Sequence, residues 1–271
     1  MATCLNGGGF LPDNDLKIPV SDKNEGGLTF KEYNSAIDRV QKVYNPLLRN
    51  MVIKRLWSSD TVNAGTYVDD ETGNRVINMY GGMARHPLMT EDGLSLVLCH
   101  EIGHHLGGAP RKTNSNGYWI WAATEGQSDY FATLKCMRKV FAKEDNKKAI
   151  NLSIVPEKVK SECRRSFKNW QADLCIRTSM AGLVVANVMA DTSKLPDTSF
   201  ETPDNNVTDL TLEFHPNPQC RLDTYLQGSI CKVSDFYSTS QTNEVYGTCH
   251  ELNGYKYGDG NRPVCWYKPQ K

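Results

Sequence analysis

The stretch LSLVLCHEIGHHLGG, residues 94–108, carries the motif His-Glu-x-x-His. Residues four apart lie on one face of a helix, so His100 and His104 can offer two imidazole nitrogens to one metal ion. Glu101 follows the first histidine and can reach a water molecule beside that metal as a general base. The apolar residues of the stretch indicate a buried helix that ends at the final Gly-Gly pair. The alternative is a core helix whose histidines make ordinary hydrogen bonds.

A third metal ligand is expected from the stretch EGQSD, residues 125–129, because a catalytic zinc takes three protein ligands and keeps one position for water. This stretch lies on a second predicted long helix, Tyr118 to Ala142. Glu125 and Asp129 are four apart and share a face, so Glu125 can bind the metal while Asp129 accepts the second ring N–H of a ligand histidine. The alternative is a solvent-exposed acidic face, which fits poorly because apolar residues surround the two acids.

Two groups of residues beside these motifs have other predicted roles. His105 points about a quarter-turn away from the metal face, so a structural hydrogen bond is favoured over metal ligation. Cys99 and Cys136 lie on the two predicted ligand helices. They are either core thiols or a disulfide that would hold the metal ligands at a fixed separation.

The composition of the whole chain narrows the class of protein. The chain has 271 residues, with 31 basic and 31 acidic side chains and no net charge. This length allows one large domain or two small ones, and the balanced charge gives no support for nucleic acid or an anionic membrane as a partner. The longest apolar run, residues 180–190, is about half the length of a membrane span, so it indicates a core helix rather than a transmembrane segment.

Nine cysteines are many for a cytosolic enzyme of this size, and no Cys-x-x-Cys pair indicates a structural zinc site. Several pairs enclose short loops: Cys163 with Cys175, Cys220 with Cys231, and Cys249 with Cys265. The residues after Cys231 lack an evident apolar core, so we expect disulfides and an oxidising compartment, periplasmic or extracellular. Cys4 is the natural candidate for the unpaired cysteine. Residues 1–4 show no secretory signal, and if a signal before Cys4 has been removed, Cys4 is a candidate for a lipid anchor.

Apolar periodicity predicts a mainly helical α+β fold with a small antiparallel sheet. Thr90 is the predicted N-cap of the helix that carries His-Glu-x-x-His. The other predicted elements are strands over Val52–Trp57, Val62–Val68 and Arg75–Tyr80, and helices over Phe30–Leu48, Pro156–Trp170, Ala172–Ala190 and Pro218–Leu226.

His-Glu-x-x-His followed by Glu-x-x-x-Asp resembles the gluzincins, metalloproteases whose third zinc ligand is a glutamate. Two further stretches, YGGM at residues 80–83 and HPNPQCR at residues 215–221, resemble one gluzincin family. That family comprises the CAAX prenyl proteases, the heat-shock membrane proteases and their soluble periplasmic relatives. The four elements occur in the family's order over about residues 75–222. The chain departs from the integral-membrane members because it has no membrane spans, and the cysteine pattern and the residues after Cys231 are not part of the family core.

The resemblance implies a role for each matching residue. The zinc ligands would be His100, His104 and Glu125, with Glu101 as the general base. His215 would stabilise the oxyanion of the tetrahedral intermediate. The other implied roles are an orienting carboxylate at Asp129, an anchor at Arg221 that pairs with such a carboxylate, and substrate-binding residues at Tyr80, Gly81 and Gly82. The strand from Ile77 to Tyr80 would pair with an extended peptide across the zinc.

The resulting hypothesis is a zinc-dependent endopeptidase of the cell envelope or the extracellular space, with a peptide or protein as its substrate. Its regions are an irregular lead-in over residues 1–28, a zincin-like metalloprotease domain over 29–230, and a disulfide-tied, loop-rich C-terminal extension over 231–271. Two alternatives stay open: a zinc-stabilised, chaperone-like binding module in envelope quality control, and a hydrolase of a non-peptide amide such as a cell-wall cross-link. The sequence does not indicate the oligomeric state or the substrate.

Overall fold

The computed structural model describes residues 9–22, 26–151, 154–256 and 258–269. The helices are α1 (Phe30–Tyr44), α2 (Gly81–Ala84), α3 (Glu91–Leu106), α4 (Glu125–Phe131), α5 (Met137–Phe141), α6 (Asn146–Ile150), α7 (Glu157–Ser166), α8 (Trp170–Thr192) and α9 (Pro218–Ile230). A π-helical segment, Ala132–Cys136, joins α4 to α5, and a 3-10 helix spans Glu251–Asn253. The strands are β1 (Met51–Leu56), β2 (Ala64–Val68), β3 (Arg75–Tyr80), β4 (Arg111–Thr113) and β5 (Trp119–Ala123). The predicted α+β class, mainly helical with small sheets, is confirmed.

Helix α3 lies at the centre of the fold and packs against α1, α4 and α8. The Thr90 hydroxyl accepts a hydrogen bond from the Gly93 N–H at 3.1 Å, which confirms the predicted N-cap. Every residue from Gly93 to His105 is buried. The apolar residues of α3 lie around most of the helix and favour an interior position, where its buried polar side chains need hydrogen-bond or metal partners.

The three-stranded sheet has the order β1-β3-β2, so β3 is its central strand. Strand β1 pairs with β3 in parallel, whereas β2 pairs with it antiparallel, so this sheet is mixed where an antiparallel one was predicted. The predicted pairing of a peptide with residues 77–80 is wrong for most of that strand, because Ile77 to Met79 are bonded on both sides. The outer edge of the sheet on this side belongs to β2.

The second ligand helix begins later than the predicted Tyr118. Residues 119–123 form β5, which pairs antiparallel with β4, and Thr124 then caps α4. The helix continues through the π-helical segment to Phe141. The prediction failed at its start because residues 111–123 form a hairpin whose strand pairing overrides the helical pattern.

Four disulfides link described cysteines: Cys99–Cys136, Cys163–Cys175, Cys220–Cys265 and Cys231–Cys249. The first joins the two ligand helices as one of the two predicted alternatives, and the second matches a predicted short loop. The expected pairs Cys220–Cys231 and Cys249–Cys265 are wrong. Cys220 bonds Cys265 and Cys231 bonds Cys249, because the C-terminal residues fold back onto both ends of α9. These bonds suggest a non-reducing compartment. The candidate lipid-anchor residue, Cys4, lies outside the described residues.

Helix α8 is long and apolar enough to cross a membrane by length and composition, but 72% of its most apolar 18-residue window is buried inside the fold. Its buried side chains pack against α3, α7 and α9. This burial identifies α8 as a core helix, as the apolar run over residues 180–190 predicted.

The C-terminal residues pack directly against α4. The Trp266 side chain is fully buried, and a Cβ atom added at Gly126 would lie 2.2 Å from Cδ2 of its indole ring. Glycine at position 126 therefore allows the ring to lie on the backbone of the helix, next to the predicted ligand Glu125.

Gly126→Ala is expected to lower the free energy of unfolding by about 1–3 kcal/mol, because the new methyl group overlaps the Trp266 ring. Urea unfolding followed by circular dichroism measures the loss. In a Trp266→Ala background the same substitution should have a much smaller effect, since the ring is absent. Equal losses in the two backgrounds would show that this contact is not the cause.

Candidate metal centre

The residues predicted as metal ligands converge in the structure. One ligand atom from each of His100, His104 and Glu125 lies within 4.8 Å of the others, and all three residues are buried. Nε2 of His100 is 3.2 Å from Oε2 of Glu125, and Nε2 of His104 is 3.6 Å from Oε1. This group could hold a metal ion.

The hydrogen bonds of both histidines orient the Nε2 atoms toward Glu125. Nδ1 of His100 donates to Oδ1 of Asp129 at 2.7 Å, and Nδ1 of His104 donates to the Ala123 carbonyl at 2.9 Å. A proton on Nδ1 leaves the lone pair of a neutral imidazole on Nε2, where a metal can bind it. Strand β5 and helix α4 supply the two acceptors, so the fold presets the tautomer of each histidine.

Three buried atoms at the centre have no hydrogen-bond partner among the described residues: Nε2 of His100, Oε2 of Glu125 and Oε1 of Glu101. Leaving buried polar atoms unpaired is unfavourable. A cation between His100 and Glu125 would satisfy the first two atoms. The donor set therefore fits a metal, and the third atom stays available beside it.

Electrostatics favour a charged Glu125 and a Glu101 that titrates near neutrality. Burial alone would raise the pKa of Glu125, but the charges of His104 and Lys112 outweigh it and hold this pKa well below the usual value. Burial raises the pKa of Glu101 to about 7. Burial alone would lower the pKa of His100, but the Asp129 carboxylate raises it to about 9, so a metal ion would bind Nε2 by displacing a proton from it. The centre thus pairs an anionic ligand with a carboxyl group suited to proton transfer.

Asp129 and Arg221 form a buried ion pair behind His100. Nε and Nη2 of Arg221 donate to the two carboxylate oxygens at 2.7 and 2.8 Å, and the Tyr225 hydroxyl donates to Oδ1 at 2.6 Å. Asp129 is 0% exposed and Arg221 is 1% exposed. Helix α9, which carries Arg221 and Tyr225, therefore fixes the carboxylate that orients His100.

His215 lies at the edge of the same centre. Its Nε2 is 3.5 Å from Oε2 of Glu125 and donates to the Gly9 carbonyl at 2.9 Å. The residue precedes α9, whose N-cap is Asn217. His215 is thus close enough to the centre to contact a bound substrate.

The predicted substrate residues Tyr80, Gly81 and Gly82 lie at the end of β3 and the start of α2. A Cβ atom at Gly81 would lie 1.9 Å from the Trp57 carbonyl oxygen, and one at Gly82 would lie 2.1 Å from the Asp60 carbonyl oxygen. The two glycines therefore allow close packing of the chain around residues 57–60. Their described contacts give them a packing role.

Two residues at the centre were not predicted from the sequence. Nζ of Lys112, on β4, is 2.7 Å from Oε1 of Glu125, and the ring of Phe10 lies edge-on to that of His100 at 4.9 Å between centroids. Neither residue belongs to a motif, because each arrives through tertiary folding. The predicted structural role of His105 is confirmed: its Nε2 lies 2.7 Å from the Thr66 hydroxyl.

Comparisons with known proteins assign no family to this chain. No protein-family model, no curated protein and no solved structure matches it. The resemblance to gluzincins therefore stays a prediction from the motif residues.

Proposed function

We propose that this protein is a zinc-dependent endopeptidase that acts in the periplasm or outside the cell. The observation that carries the proposal is the convergence of His100, His104 and Glu125, with the buried carboxyl group of Glu101 beside them. Two imidazoles and one carboxylate are a donor set of catalytic zinc sites, which keep a further position for water or substrate. The four disulfides support a compartment outside the reducing cytosol.

Proton transfer is the task of Glu101 in this proposal. A bound zinc ion would supply Lewis acidity and lower the pKa of water to about 7. Oε1 of Glu101 has no hydrogen-bond partner among the described residues, so it is available to take a proton from the attacking water. The same carboxyl group can then deliver this proton to the leaving amine.

In this proposal His215 stabilises the negative charge that develops on the substrate carbonyl oxygen. Its Nε2 atom lies 3.5 Å from Oε2 of Glu125, so its N–H could donate to the carbonyl oxygen of a peptide bound at the centre in place of the Gly9 carbonyl. Lys112 is paired with the other oxygen of Glu125 and holds that carboxylate in place.

A second candidate function is a binding module in envelope quality control whose metal acts only as a structural staple. The low exposure of the centre favours it, since His100 is 0% and His104 is 3% exposed. This candidate predicts that zinc raises the melting temperature without any turnover.

Hydrolysis of a fluorescence-quenched peptide library by the zinc-loaded chain tests the proposal. We expect one zinc per chain, cleavage that a chelator abolishes, and recovery when zinc is restored. His104→Ala should lose the zinc, whereas His105→Gln, the matched control, should keep it. A zinc-loaded chain that melts at a higher temperature but cleaves no peptide would reject the peptidase in favour of the binding module. Cleavage only of a cell-wall cross-link would assign the same chemistry to a non-peptide amide.

A further inference from the structure

The segment Gly9–Leu11 lies against the metal centre, although the sequence predicted only an irregular lead-in there. Phe10 and Leu11 are both fully buried. The Phe10 ring meets the His100 ring edge-on, and the Arg221 guanidinium lies 4.7 Å from the ring centroid. An aromatic side chain thus fills a site formed by a metal ligand and by the arginine that supports it.

The main chain of the segment is held as a bound peptide would be. The Phe10 N–H donates to the Ala64 carbonyl at 2.7 Å, on the edge strand β2, and the Phe10 carbonyl accepts from Nη1 of Arg221 at 2.8 Å. A bound peptide can be held by one main-chain bond to a strand and one side-chain bond to its carbonyl, with pockets for its side chains giving specificity. The edge of the sheet near the centre is therefore already engaged by the chain itself.

The Gly9 carbonyl accepts the hydrogen bond of the His215 side chain, which in the proposed reaction would bind the substrate carbonyl. It accepts from Nε2 of His215 at 2.9 Å, and the same Nε2 is 3.5 Å from Oε2 of Glu125. Nε2 carries a single hydrogen, so it cannot donate fully to Gly9 and to a substrate carbonyl at once.

We propose that Gly9–Leu11 is a resident peptide in the substrate cleft, and that the cleft takes peptides with a bulky apolar side chain at the position of Phe10. A substrate must displace the segment, so its apparent affinity equals its intrinsic affinity multiplied by the fraction of chains in which the segment is released. This inference rests on the proposed function in one respect, that the cleft binds peptides.

Two substitutions outside the proposed catalytic residues release the segment. The Asn63 side chain accepts from the Leu11 N–H at 2.9 Å and donates to its carbonyl at 3.1 Å, and Asn63→Ala removes both bonds. A Cβ atom at Gly9 would lie 1.6 Å from the Ala64 carbonyl oxygen, so Gly9→Val excludes the segment sterically. Asn205→Ala, at an exposed position, is the matched control. Melting temperatures verify that each variant folds.

Binding of acetyl-Gly-Phe-Leu-amide to the full chain, measured by calorimetry with a chelator present, tests the inference without turnover. We expect about five- to tenfold tighter binding to Asn63→Ala, from the loss of two hydrogen bonds, a larger gain for Gly9→Val, and none for Asn205→Ala. Acetyl-Gly-Ala-Leu-amide should bind more weakly than the phenylalanyl peptide. Unchanged affinity in both release variants, or equal affinity for the two peptides, would overturn the inference.

Peptide hydrolysis by the zinc-loaded proteins separates this inference from the proposed function. Tighter peptide binding by the release variants without any hydrolysis would reject the peptidase and retain the peptide cleft. Hydrolysis by the natural chain with no gain in peptide binding by either variant would retain the peptidase and reject the resident segment.

Discussion

The Glu101→Gln protein is expected to bind zinc as the natural chain does and to lose peptide hydrolysis almost completely. Glutamine has nearly the shape of glutamate, so the buried site is preserved, but an amide cannot take a proton from water. General acid–base groups contribute about 10²- to 10⁴-fold to rates, and a loss of this size in kcat is expected. Peptide hydrolysis and zinc content, measured on the same preparation, check the prediction.

Glu157→Gln, on the surface of α7, is the matched control for this substitution and should leave hydrolysis unchanged. If Glu101→Gln cleaved peptides at the natural rate, Glu101 would not be the base. If it lost zinc as well, the carboxyl group would contribute to metal binding rather than to proton transfer alone.

Asp129→Ala is expected to weaken both the fold and the metal centre. The substitution leaves the Arg221 charge buried without its carboxylate, and breaking a buried ion pair in this way costs about 3–5 kcal/mol. It also removes the acceptor of Nδ1 of His100, and loss of such an orienting group typically lowers metal affinity about 10- to 100-fold. Urea unfolding with a chelator present measures the first effect, and competition with a zinc indicator measures the second.

Two variants calibrate this result. Asp209→Ala, at an exposed position, should change neither quantity. Asp129→Asn keeps the shape and one acceptor oxygen but removes the charge, so its losses should lie between those of the natural chain and Asp129→Ala. A stable Asp129→Ala protein with natural zinc affinity would show that the ion pair does not support His100.

The sequence predicts best what local spacing controls. The helix α3, its N-cap at Thr90 and the convergence of His100 with His104 follow from residues close together in the chain. The position of Glu125 followed because a catalytic metal needs a third ligand and the next acidic pair has helical spacing.

Interactions between distant residues were predicted less well. The parallel pairing of β1 with β3 joins Met51 to Arg75 and has no local signature. The bonds of Cys220 and Cys231 depend on how the C-terminal residues fold back. Lys112 and Phe10 reach the metal centre from segments that carry no motif, so no local pattern could have marked them.

The disulfide Cys220–Cys265 connects two residues that are each next to a support of the metal centre. Cys220 adjoins Arg221, the partner of Asp129, and Cys265 adjoins Trp266, whose ring lies on Gly126. The C-terminal residues thus act as an external brace with two contact points. One is Cys220, next to Arg221, and the other is Gly126, next to the predicted metal ligand Glu125. A chain cut after Ile230 would keep this brace through the Cys220–Cys265 bond, and only reduction of that bond as well would release it and loosen the ligands.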